Sequence, residues 1–142
     1  MSKPPYDPKR ITLDLYGDRR PVEGTVVAIL HVGFKDRGLK LIDTKSRAVL
    51  KNEIHELMIT DEKAAAPGGG ADRVTAIAFF EITRGGVIVT GDDVTASGKK
   101  IGELVGYDMT HMPNHMNILI RAPTVDEPAL AVGEELVFHR PT

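Results

Sequence analysis

Short apolar runs separated by turn residues set the pattern of this chain. Residues 11–15, Ile-Thr-Leu-Asp-Leu, alternate apolar and polar positions as a half-buried strand does. Gly17, Asp18, Arg19, Arg20 and Pro21 close that strand as a turn. Residues 25–34 are apolar on both faces, which suits a central strand. Residues 39–42 follow after the Asp36-Arg37-Gly38 turn. Residues 73–83 form a long strand, and Arg84-Gly85-Gly86 returns the chain into 87–90 as a hairpin. Residues 101–108, 116–122 and 136–139 are the strands of the C-terminal half.

Residues 48–60 fit two periods. Leu50, Ile54, Leu57 and Met58 have helical spacing, whereas His55, Leu57 and Ile59 lie on one face of a strand; a turn followed by a strand is the preferred reading. The Ala64-Ala65-Ala66-Pro67-Gly68-Gly69-Gly70 run has few side chains to pack and many backbone states to lose, which predicts a mobile loop near 62–72. Residues 1–10, with three prolines and no periodicity, read as an N-terminal arm. Two stretches look alike, Thr90-Gly91-Asp92-Asp93-Val94 and Val132-Gly133-Glu134-Glu135-Leu136: a glycine, two acids and an aliphatic, as in a turn feeding a strand. Seven to nine short strands with little helix imply an all-β fold. The expectation is a single domain over 11–142, a small closed or nearly closed antiparallel barrel, because closure removes exposed strand edges. A β-sandwich is the alternative.

Composition narrows the function classes. A chain of 142 residues is long enough for one domain with its own core. It has no cysteine, so disulfides, thiolate metal clusters and cysteine nucleophiles are excluded. No apolar run approaches the roughly 18 residues of a membrane span. The net charge of −2 with both signs interspersed gives no footprint for nucleic acid, and four Phe, three Tyr and no Trp offer little base stacking. The first residues lack the apolar core of a signal peptide, so a cytoplasmic protein is expected.

Candidate chemistry concentrates in residues 106–118, Gly-Tyr-Asp-Met-Thr-His-Met-Pro-Asn-His-Met-Asn-Ile. On an extended chain His111 and His115 would stand roughly 13 Å apart. Pro113 and Asn114 suit the centre of a turn over 112–115, which would bring the two imidazoles together. Asp108 could add a carboxylate, with Glu103 a more distant one. Two histidines and a carboxylate with open positions are a recurrent divalent-metal arrangement, for zinc, iron or manganese. A metal-free ligand site, or hydrogen bonding of the loop to itself, is equally open at this point. In the strand that follows, Met116, Ile118, Ile120 and Ala122 form an apolar face directed at the core. His115, Asn117 and Arg121 share the other face with Leu119. Arg121 there would recognise a carboxylate or phosphate, or simply make a surface ion pair.

His31 follows Thr25, Val27 and Ile29 on one face of its strand and would point into the barrel, as a core residue or as a base or third ligand beside the His111/His115 loop or Glu81. Glu53-Ile54-His55-Glu56 is a further polar cluster, with Glu53 and His55 on one strand face that reads best as solvated. Phosphate-loop, dinucleotide-binding, zinc-helix and nucleophilic-serine signatures do not occur. The 106–118 stretch, together with Asp36-Arg37-Gly38-Leu39 and His55-Glu56-Leu57, resembles a small uncharacterised bacterial family over most of the chain. That resemblance implies a stand-alone single-domain bacterial protein and brings no activity with it. The function expected from the residues is a small-molecule site at one barrel mouth, built from His111, His115, Asn114, Asn117 and Asp108, with Arg121 as a further ligand contact. With a divalent metal it would perform hydrolase, lyase or isomerase chemistry, His31 or His55 acting as acid or base. The competing reading is a non-enzymatic interaction module or accessory subunit that uses the Met/His-rich loop as a contact surface, or a homo-oligomer paired through 136–139. Convergence of His111 and His115 with a third polar group in a cavity would favour the first; rings splayed on a flat surface would favour the second.

Overall fold

The computed structural model describes residues 18–126 and 128–141; the arm at 1–10 and the expected strand at 11–15 lie outside the described residues. The chain runs β1 (Val22–Phe34), β2 (Leu39–Lys40), β3 (Ser46–Val49), β4 (Ile54–Thr60), β5 (Gly70–Ala71), β6 (Val74–Arg84), β7 (Gly86–Val89), β8 (Asp93–Ala96), β9 (Lys99–Asp108), β10 (Asn117–Arg121) and β11 (Glu135–His139). Seven of these close into a barrel in the order β1-β11-β8-β9-β10-β4-β6. Neighbours are antiparallel except β4 and β10, which run parallel. Two two-stranded sheets, β2-β5 and β3-β7, lie outside the wall. Among the described residues no helix is long and apolar enough to cross a membrane. The ambiguous stretch at 48–60 is a strand end, a turn and then β4.

The barrel interior is filled by alternate residues of every wall strand, among them Leu57, Ala78, Phe80, Leu104, Tyr107, Ile118, Ile120, Leu136 and Phe138. Phe80 and Phe138 stack with their centroids 5.7 Å apart. The leucine, isoleucine and phenylalanine side chains among them contribute roughly 1.5–3 kcal/mol each of burial free energy. The Tyr107 hydroxyl, fully inside, keeps a hydrogen bond by donating at 3.2 Å towards the Lys45 and Ile88 carbonyls. The expected core face of β10 is confirmed, since Met116, Ile118 and Ile120 are buried and Ala122 packs beside them.

A second apolar layer lies on the outside. Met58 and Leu119, neighbours on β4 and β10, pack with Val105 under Leu39, Leu41, Ala65 and Ala71. The segment expected to be mobile forms part of this cover. Gly68 N–H donates to the Leu41 carbonyl at 3.1 Å, Leu41 N–H donates to the Gly69 carbonyl at 2.9 Å, and Ala65 is only 2 % exposed.

Two strand expectations need correction. Residues 84–90 do not form a hairpin. Both edges of β6 are already taken, by β1 and β4, so β7 leaves the wall and pairs with β3. Gly85 makes that departure possible, because a Cβ there would come within 2.6 Å of the Val49 carbonyl oxygen. Nor is β1 central along its length. It lies between β11 and β6 only over 23–25; from Ile29 onward its described partner is β6 alone, with Val27 and Val32 exposed. His31 is therefore on the exterior and does not point into the barrel.

The two look-alike turns do the same job. Gly91 and Gly133 have φ of 98° and 92°, a conformation that glycine adopts without strain. In each turn the next residue's carboxylate accepts the N–H three positions back: Val89 N–H to Asp92 and Ala131 N–H to Glu134, both at 2.9 Å. The strands they feed, β8 and β11, then pair with one another.

Candidate functional site

Strand register sets a row of side chains across the outer face at one end of the barrel. Phe79 of β6 is opposite Glu56 of β4, Glu56 is level with Asn117 of β10, and Asn117 is opposite Asp108 of β9. The 109–116 loop leaves β9 at Asp108 and returns to β10 at Asn117, so both its ends are tied to this row.

At its first end the anchor is Asp108, only 1 % exposed. It accepts the Lys40 and Thr110 backbone N–H groups, each at 2.9 Å, with the Asn117 amide at 3.5 Å. Burial alone would push this carboxyl up, but the hydrogen bonds from Thr110 and Lys40 and the charge of Arg37 outweigh it and hold Asp108 below the ordinary carboxylate range. At the second end the anchor is His55, which points in beside Phe80 and is 5 % exposed. Its Nδ1 accepts the Met116 N–H at 3.1 Å, while the Glu56 N–H donates to the Met116 carbonyl at 3.0 Å. With Nδ1 accepting, the ring proton of neutral His55 sits on Nε2, which faces Glu53 Oε1 at 3.4 Å. Burial lowers the His55 pKa, and the favourable pull of Glu53 does not restore it. The solvated face expected for His55 is thus a buried one, because the returning loop covers it.

Between the anchors the chain turns at 111–114. Asn114 N–H donates to the His111 carbonyl at 2.9 Å, one residue earlier than the expected turn, and the Met112–Pro113 peptide is cis. The turn does bring the two imidazoles together: His111 and His115 stack with centroids 5.0 Å apart and planes at 26°. His115 also meets the Phe79 ring edge-on at 5.1 Å. Its Nε2 lies 3.3 Å from Glu56 Oε1 without a well-aligned hydrogen bond, and its Nδ1 is 2.7 Å from the Asn114 amide. His111 remains exposed, with Nε2 3.5 Å from the Arg37 guanidinium, which in turn lies over the Phe34 ring at 5.6 Å.

A cavity of about 490 Å³ opens here, lined by Asn52, Glu53, Ile54, His55, Phe79, Met112, Pro113, Asn114 and His115. Its floor is a tight turn in which Asn52 takes φ 80°, and Glu53 Oε1 accepts the Leu50 N–H at 2.7 Å. Two imidazoles from distant parts of the sequence therefore share one concavity with a fixed carboxylate.

The expected residues divide clearly. His55, Asn114 and His115 line the cavity. His111 stacks behind His115 and faces solvent. Asp108 is spent inside the loop base, where Asn117 is buried with its amide nitrogen 3.5 Å from it, and among the described residues no three His, Asp or Glu side chains are placed to hold one metal ion. Arg121 is elsewhere: it donates to the Lys63 and Ala65 carbonyls at 3.1 and 3.4 Å and pairs with Glu103 at 3.4 Å, which fastens the outer cover. Glu56, Phe79 and Arg37 were not foreseen as site residues. Glu56 left a trace as part of the polar cluster at 53–56, and Arg37 as part of the Asp36-Arg37-Gly38-Leu39 stretch.

The sequence model of one family, described as a family of unknown function (DUF6917), matches residues 16–139. No curated protein and no solved structure matches the chain.

Proposed function

The chain belongs to this family of unknown function, and we propose from its own geometry that it binds a small polar molecule in the cavity between residues 52–55 and 112–115. One observation carries the reading: two imidazoles, each beside a carboxylate, converge from separate stretches on one cavity of about 490 Å³. That volume is in the range of small-ligand sites, and titratable groups gathered in a concavity are the usual mark of one.

The two histidines take different roles. Both His55 nitrogens are engaged, so His55 holds the loop. His115 faces the cavity: its Nε2 lies 3.3 Å from Glu56, and its Nδ1 offers an acceptor to a ligand N–H or O–H once Asn114 yields its place. Asn114 supplies a donor and an acceptor for orientation. Of the two outcomes weighed for the loop neither is met in full: His111 and His115 stack but only His115 lines the cavity, and its place there beside His55 and Asn114 supports a ligand site more than a flat contact surface.

The test is a thermal-shift screen of polar small molecules, followed by NMR of the histidine rings with the best hit. The expected result is a perturbation of the His55 and His115 rings with His139 unmoved, and loss of the shift in His115→Ala. A hit that binds His115→Ala unchanged, or that moves only rings outside the cavity, would overturn the proposal.

A further inference from the structure

Resting on the ligand site just proposed, we infer that its occupant is a cationic amine carrying a compact apolar body. The charge inventory of the cavity points to this. Glu53 is the carboxylate on its wall, and its orientation is fixed before any ligand arrives: Oε1 takes the Leu50 N–H at 2.7 Å and faces His55 Nε2 at 3.4 Å. Oε2 has no partner among the described residues, and the Glu53 side chain is 40 % exposed. A held carboxylate with one free oxygen is an acceptor awaiting a charged donor.

The groups around it favour a cation over an anion. Among the described residues no Lys or Arg lines the cavity. Arg47 of β3 is near enough to act on His55 but stays outside the wall. Glu56 adds a second negative charge behind His115. An anionic ligand would face Glu53, with Glu56 behind His115 adding to the repulsion, whereas an ammonium group can donate to Glu53 Oε2 and to the Asn114 side-chain oxygen. The remaining wall is apolar. Ile54 and Met112 stand 46 % and 42 % exposed at the rim, with Phe79 and Pro113 beside them, and a polyol would leave them wet. An aliphatic or aromatic body attached to the amine covers them.

Isothermal titration of the full chain at pH 7 and low salt with n-hexylamine, hexan-1-ol and hexanoate tests this. The expected order is amine, alcohol, carboxylate, with the amine about tenfold tighter than the alcohol, as one charge-assisted hydrogen bond warrants. Glu53→Gln keeps an acceptor for the Leu50 N–H and should erase the amine's advantage over the alcohol, while Glu53→Asp retains a preference for the amine. Equal binding of amine and alcohol, or tightest binding of hexanoate, would overturn the cationic assignment and leave the cavity as a ligand site. Binding of none of the three would likewise overturn the assignment of an amine with an apolar body, while the ligand-site reading stands or falls with the thermal-shift screen.

Discussion

The two ends of the 109–116 loop are fastened by the same device made from different chemistry. At the first end a buried carboxylate, Asp108, accepts the Thr110 N–H; at the second a buried imidazole, His55, accepts the Met116 N–H. A carboxylate accepts at every pH above its own titration. An imidazole accepts at Nδ1 only while neutral, because the protonated ring is a donor at both nitrogens. One end of the loop is therefore fixed through the physiological range and the other is conditional. The conditional end is also the one that lines the cavity, with His115 one residue before the Met116 clamp. A fold can set the mobility of each side of a site by the acceptor it places there.

The largest effect is expected at the fixed end. Asp108→Ala takes the charged acceptor from the Lys40 and Thr110 N–H groups in two part-buried hydrogen bonds, a loss of about 3 kcal/mol. For a chain of this length that lowers the melting temperature by roughly 10 °C or more. Asp108→Asn keeps one acceptor oxygen and should lose about half as much. The folded-state pKa of Asp108 lies below its ordinary 3.8, so its contribution is intact above that pH and is lost only as the pH falls below it. Melting curves of the two variants decide the matter, and an Asp108→Ala protein within about 2 °C of wild type would show that this end is not anchored by the carboxylate.

The conditional end gives the next effect, and it is one of slope. The folded pKa of His55 lies below its ordinary 6.5. Its contribution is therefore full above that value and declines as the pH falls, because the unfolded ring takes up a proton that the folded ring resists. For one proton the slope is at most about 1.4 kcal/mol per pH unit. His55→Asn places an amide oxygen near the Nδ1 position, an acceptor that does not titrate. Urea unfolding from pH 7 to pH 5 should show wild type losing stability faster than His55→Asn. Parallel curves for the two proteins would mean that both ends of the loop respond to acid alike.

Much of this arrangement can be read in the chain, for local reasons. Alternation over Met116, Ile118 and Ile120 identifies the core face of β10, since side chains of a strand alternate between faces whatever the fold around them. The resemblance between Gly91-Asp92 and Gly133-Glu134 appears as two turns of one design, because a positive-φ glycine and an acid that reaches back are both local. The meeting of His111 and His115 follows from the turn between them. What stays hidden depends on distant partners. Asn117 and Leu119 read as an outward face and do point away from the barrel interior, but the cover from 39–41 and 65–71 buries them. His31 reads as inward because nothing local says that β11 ends beside Thr25. The Glu56–His115 pair depends on β4 lying parallel to β10, and no spacing within either segment announces that register.

The smallest effect belongs to the tip of the loop, between the anchors. His111 is exposed, and its contacts are the His115 ring and the Arg37 guanidinium. Neither contact satisfies a buried group, so His111→Ala should move the melting temperature by less than about 2 °C and leave the slope between pH 7 and pH 5 as in wild type. It should still be felt in the cavity: without the stacked ring, His115 gains freedom about its side-chain torsions, and the off-rate of a bound ligand rises. Differential scanning calorimetry paired with surface plasmon resonance separates the two readouts. If His111→Ala destabilised the protein as much as Asp108→Ala, the loop would be held at its tip, and the contrast between a carboxylate end and an imidazole end would not govern its motion.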